Sequence, residues 1–160
     1  IISKGGGARR GRGGRGSLAH SIKNKFYLIE EFILEKIKDG KKVSANKFSN
    51  NVLVHGHCHQ KYKDRLKGLL ELLTTLNIKY KPIETSCCGM AGSFGYDAKN
   101  YDISKKMAHL TLIPSIKKEF KNDDIIVANG TSCRHQISDF SDQKPQHVSQ
   151  LLFKIFETVN

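Results

Sequence analysis

No stretch of this sequence approaches the roughly 18 consecutive apolar residues that a membrane span requires. No charged-then-apolar leader of the secretory type opens it either. These absences predict a soluble, cytoplasmic protein, and they argue against structural disulfides even though the four cysteines are even in number. No two of them have the CxxC spacing, which counts against a zinc finger and against a thiol–disulfide enzyme. No internal repeat is present, and the first residue is Ile rather than Met, so a piece of a longer reading frame is expected. At 160 residues the chain suits one compact domain and is too short for two ordinary ones.

Acidic residues are scarce: 15 Asp and Glu face 27 Lys and Arg, a formal charge of +12. Such an excess raises nucleic acid or an acidic membrane surface as partners. Its location weakens that reading, because Lys4, Arg9, Arg10, Arg12 and Arg15 lie in the first sixteen residues without one acid. That segment, IISKGGGARRGRGGRG, is nearly all Gly and Arg and cannot bury a core, so residues 1–16 are expected to form a disordered tail. An arginine–glycine RNA-binding role is the functional alternative, but a solvated tail is the preferred reading, and nucleic acid is not the expected partner. Composition changes abruptly at Ser17, which sets the domain at 17–160.

Within it, Ile22, Phe26, Ile29, Ile33 and Ile37 recur at helical spacing from Ser17 to Asp39, with Gly40 as the stop. Asn51 to His55 reads as a buried strand, and Leu66, Leu69, Leu70, Leu73 and Leu76 predict a helix that Asn77 ends. IKYKPI is a second strand, Tyr101 to Phe120 a helix kinked or divided by Pro114, and Asp124 to Ala128 a third strand. A short helix follows Gly130, and a last one covers Val148 to Thr158. Strands alternating with helices predict an α/β fold: an open, mostly parallel sheet with helices on both faces and ligands beyond the C-terminal ends of the strands. Cys58 follows the first strand, Cys87 and Cys88 the second, and Cys133 the third, so cysteine loops are expected along that one edge.

Each cysteine alone could be a small buried hydrophobe; four at successive strand ends point instead to a metal centre. Adjacent Cys87 and Cys88 are awkward for one tetrahedral zinc but can serve different irons of a cluster, and Gly89 lets the backbone turn sharply after them. His55, His57 and His59 would share one side of an extended segment, with Cys58 opposite, and read as groups that support the ligands or as solvent-exposed rings; a three-histidine metal site would need a bend.

The stretches HGHCHQK, CCGMAGSFGYD and ANGTSCRHQI together resemble the CCG-type cysteine-rich domain. That domain occurs in iron–sulfur subunits of glycolate and lactate oxidation systems, in one of the subunits of heterodisulfide reductase and at the C-terminus of long FAD-linked dehydrogenases. FYLIEEF and His147 add to the likeness, which runs from about Lys23 to Phe153. The resemblance implies βα units holding an iron–sulfur cluster, [4Fe–4S] or with zinc as the alternative metal, on Cys58, Cys87, Cys88 and Cys133. It implies electron relay from a flavin to an acceptor it does not specify. An upstream FAD-binding domain, in the same chain or on a separate polypeptide, would oxidise a 2-hydroxy acid such as D-lactate, glycolate or D-2-hydroxyglutarate. This segment by itself would carry no substrate chemistry, and peripheral membrane association of the full protein is compatible with such a role. The family pattern ends in CxxC; here Gln136 stands in the last position, leaving four thiols instead of five. Relatives also carry an earlier cysteine half where this chain has its Gly/Arg segment, which fits the fragment reading. The competing reading is a zinc-stabilised scaffold that docks a catalytic domain without carrying electrons.

Overall fold

The computed structural model describes residues 27–41, 43, 48–62 and 64–157; the Gly/Arg tail, with Ile22 and Phe26 of the expected first helix, lies outside them. Helix α1 spans Ile29–Lys38, and the Leu28 N–H donates to Glu31 Oε2 at its start. It ends at Gly40, whose φ of +86° is the left-handed geometry that lets Lys41 N–H reach back to the Lys36 carbonyl. Strand β1 (Val52–His55) leads into the short helix α2 (Cys58–Tyr62), then α3 (Leu66–Thr75) and strand β2 (Tyr80–Pro82). Asn77 stops α3 as expected, with φ +56° and the Ile78 N–H bonded to the Leu73 carbonyl. After a long irregular loop come α4 (Tyr101–Leu110), α5 (Leu112–Glu119), strand β3 (Ile125–Ala128), α6 (Thr131–Phe140) and α7 (Val148–Glu157).

The predicted helix from Tyr101 to Phe120 is divided. Its break falls at Thr111 (φ −139°), not at Pro114 itself. Pro114 sits in the first turn of α5, where a missing N–H leaves no intrahelical bond unmade.

All three strands are parallel, in the order β2-β1-β3, with Val52 opposite both Tyr80 and Ile125. Because β1 is flanked on both sides and covered on both faces, its four residues are all buried, so a continuous apolar run identifies it. Alternation along the strands divides the core in two. Val52, Val54 and Val127 join Leu34 of α1, Leu69, Leu72 and Leu73 of α3, and Leu151 and Ile155 of α7. Leu53, Ile126 and Ala128 face the other way, against Ala108 of α4, Leu112, Ile113 and Ile116 of α5, and Ile137 of α6. Helices therefore cover both faces of an open parallel sheet, as the alternating pattern predicts.

The phase of α1 differs from the expected stripe. Ile29 is 44% exposed, while Glu30 and Leu34 are buried and Ile33 and Ile37 pack at the margin. The inward position that apolar periodicity assigns to isoleucine is held by a carboxylate, which hydrophobic spacing cannot anticipate.

Candidate metal centre

The order β2-β1-β3 makes the chain leave β1 toward one side and return past it to the other. In open α/β sheets this reversal opens a crevice beyond the C-terminal ends of the two strands concerned, here β1 and β3. A cavity of about 530 Å³ lies there, lined by Cys58, Cys87, Cys88, His57, His59 and Ser132. Cys58 is the first residue of α2, Cys87 and Cys88 lie in the loop after β2, and Cys133 belongs to the first turn of α6. Cys133 is fully buried behind the cavity, its Sγ 3.4 Å from that of Cys88. Cys58 is exposed and Cys87 intermediate.

The four thiols are not electrostatically equivalent. The Cys133 thiol donates to Cys88 and, with His55 and the Met90 backbone N–H, outweighs burial to hold the Cys88 thiol down to about 4. The same hydrogen bond, followed by burial, pushes Cys133 far above the ordinary range, so this pair carries one thiolate and one thiol. Cys58 is raised by partial desolvation first and by Cys87 next. The Cys87 sulfur accepts from the Gly89 N–H at 3.3 Å, the kind of amide donation that stabilises charge on a ligand sulfur. The start of α6 adds the positive end of a helix dipole beside Cys133, favouring negative charge on the group as a whole.

Close packing fixes the loops. A Cβ on Gly89 would lie 2.4 Å from the Ser104 carbonyl of α4, and its φ is +92°. A Cβ on Gly130 would meet His57 at 2.5 Å and the Cys133 sulfur at 3.0 Å, so backbone must pass there without a side chain. Ser132 Oγ donates to the Gly92 carbonyl at 3.0 Å, and Tyr96 Oη meets His135 Nδ1 at 2.5 Å, tying the CCG loop to α6 at two points. Gln136 is buried and donates through Nε2 to the Ser104 carbonyl and Oγ, both at 3.0 Å. Its amide is committed to α4.

The histidines do not share one side of an extended segment, because the strand stops at His55 and the helix begins at Cys58. His55 is buried, with Nδ1 3.1 Å from Thr85 Oγ1 and a hydrogen bond to the Cys88 sulfur. His57 and His59 line the cavity with Cys58, their ring centroids 5.1 Å apart. Partial burial, then His59, lowers the His57 value. Among the described residues, no three or more His, Cys, Asp or Glu side chains are gathered tightly enough to hold a metal ion, so neither a three-histidine site nor a preset four-thiol cage is present. The thiols stand as two pairs, Cys88 with Cys133 and Cys58 beside Cys87, around one cavity. That donor set suits a polynuclear group, whose thiolates sit on separate metal atoms, better than one ion.

Sequence reasoning passed over Thr85, Gln60, Asn129 and Glu30. The only signal for the last was the FYLIEEF stretch.

Residues 52–138, more than half of the chain, match the family of CCG cysteine-rich domains. The chain belongs to that family. The matched span of this CCG domain runs from β1 into α6 and includes all four cysteines. Over 133 residues, 82% of the chain, it is 23% identical to one of the subunits of the anaerobic glycerol-3-phosphate dehydrogenase of Escherichia coli K12. Over 132 residues it is 22% identical to a D-2-hydroxyglutarate dehydrogenase of Pseudomonas putida, and over 79 residues 30% identical to that of E. coli K12. The aligned part spans 33% of the first of these relatives, 12% of the second and 8% of the third. No solved structure matches the chain significantly.

Proposed function

We propose that this CCG domain holds an iron–sulfur cluster, [4Fe–4S] in type, on Cys58, Cys87, Cys88 and Cys133, and relays electrons from a flavin-bearing dehydrogenase to a second carrier. The observation that carries the reading is the divergence of the adjacent pair. Cys88 turns inward to Cys133 and His55, while Cys87 accepts from Gly89 N–H beside Cys58. Two neighbouring thiols with different surroundings suit two different metal atoms. A bound cluster would supply one-electron chemistry; the chain supplies its thiolates and the Gly89 amide that disperses their charge. His55, fixed by Thr85, would tune the Cys88 sulfur by hydrogen bonding.

The partner in this reading is an FAD-binding domain, in the same chain or on a separate polypeptide, that oxidises a 2-hydroxy acid. Support comes from relatives named as D-2-hydroxyglutarate dehydrogenases, and the glycerol-3-phosphate relative widens the class to other secondary alcohols bearing an acidic group. The four cysteines are offered for electron relay alone. A cytoplasmic site of action is part of the same proposal. No helix among the described residues is long and apolar enough to cross a membrane.

Anaerobic reconstitution with iron and sulfide tests the reading. The expected product is brown, with broad visible absorption and close to four irons per chain, as thiolate-to-iron transitions require. Colourless protein with one tightly held zinc would replace it by the scaffold reading.

A further inference from the structure

The geometry points to Glu30 as the residue that positions the Cys58 and Cys133 segments relative to one another; this deepens the metal-centre reading above and rests on it. Glu30 is the second residue of α1 and only 1% exposed. Among the described residues it belongs to no ion pair, so its charge is balanced by amides. One oxygen, Oε1, accepts from Asn129 Nδ2 at 3.0 Å and from Gln60 Nε2 at 3.5 Å.

Each of those amides has its other end committed to a backbone N–H. Gln60 Oε1 accepts from His57 N–H at 3.2 Å, which is half of the capping arrangement that starts α2 at Cys58. Asn129 Oδ1 accepts from Val148 N–H at 3.1 Å and so starts α7, while its backbone leads from β3 into α6 and Cys133. Backbone donors fix which way both amides face, leaving two N–H groups aimed at one point. An acceptor is required there, and a leucine or alanine would leave both donors unpaired. Glu30 thus couples the segment that carries Cys58 to the one that carries Cys133. The α1 phase that places a carboxylate inward has this geometric consequence.

The test compares the full chain with Glu30→Ala and Glu30→Gln. In metal-free protein, residue-resolved hydrogen exchange at His57 and Val148 should quicken about tenfold in Glu30→Ala, the effect expected from losing charge-assisted bonds. Glu30→Gln, whose amide oxygen can accept in the same place, should stay near wild type. After reconstitution Glu30→Ala should lose iron, whereas Glu30→Gln should keep it with a midpoint potential shifted upward, since a nearby negative charge is gone. Unchanged exchange at both amides in folded Glu30→Ala overturns the proposal. So does an exchange rise in Glu30→Gln as large as in Glu30→Ala. If Glu30→Ala does not fold, Asn129→Ala takes its place. It must quicken exchange at His57, which Asn129 does not touch, and Gln60→Ala must quicken it at Val148; absence of this cross-effect refutes the coupling. Exchange is read without metal, so it judges Glu30 even if wild-type protein takes up no iron, which would sink only the cluster reading.

Discussion

The sulfur of Cys88 lies 3.4 Å from that of Cys133, and the second thiol donates to the first. The pair shares one proton between two sulfurs, so removing the donor should cost Cys88 its depressed value of about 4. In metal-free Cys133→Ala the Cys88 thiolate should titrate at higher pH than in wild type, while Cys133→Ser, which retains an O–H donor, should fall between. Ultraviolet thiolate absorbance against pH, with Cys58 and Cys87 replaced by Ser in every sample, reads the shift.

Replacing Cys58, Cys87, Cys88 or Cys133 by Ser should each lower the iron bound after reconstitution, because a hydroxyl is a poor substitute for thiolate. His59→Ala should do less, since His59 lines the cavity mouth and is exposed. Iron and sulfide assays on the five variants decide; an empty His59→Ala beside a full Cys133→Ser would reverse the ligand assignment.

Gly89→Ala combines a left-handed backbone with a Cβ placed against the Ser104 carbonyl. Destabilisation of at least about 1–3 kcal/mol is expected from the backbone alone. Denaturant unfolding of the metal-free variant measures it, and a value within about 0.5 kcal/mol of wild type, the usual range for surface changes, would contradict the packing described.

The phase of α1 can be checked by two truncations. Leu34→Ala, in the core with Leu69 and Leu72, should cost about 2–5 kcal/mol. Ile29→Ala, at an exposed position, should stay within about 0.5 kcal/mol. Equal costs would restore the stripe expected from isoleucine spacing.

Burial, the largest influence on Glu30, raises its carboxyl above 4.5 despite the opposing bonds from its own backbone and Asn129. A native value above the unfolded one means the folded state holds that proton more tightly. The associated stability is fully present below pH 4.5 and lost as pH rises through the native value. The stability of metal-free wild type relative to Glu30→Gln should therefore decline over the pH range above 4.5 in which the native carboxyl ionises. Paired urea titrations across that range provide the check; a flat difference would mean that Glu30 ionises as it does in water.

What could be read in the sequence follows from where side chains are apolar on both sides. VLVH is buried throughout because β1 is central, and the leucines of α3 face one core, so both announced themselves. Asn77 marked a helix end because few residues accept its left-handed backbone. The gathering of four cysteines was visible from their places after three parallel strands, a matter of topology alone. Polar burial was not visible. Glu30 breaks the phase of its helix to meet two amides distant in sequence, and Gln136 shows in sequence only that a thiol is missing, not that its amide serves α4. The shared side expected of the three histidines did not form, because alternation presumes a strand and the chain coils into a helix at Cys58, which leaves His55 against Cys88 and His59 exposed.

The central strand of the sheet is also the first of the three to be synthesised, and its two neighbours come from successively later parts of the chain. A ribosome-bound chain that has released β1 and β2 exposes one bare edge of β1 and offers three of the four thiols. The fourth arrives only with α6, after β3 has closed that edge. On the proposed ligand set, cofactor loading would wait for completion of the sheet: an assembly factor that acted earlier would meet only three of the four thiols and an open sheet edge prone to pairing with other chains.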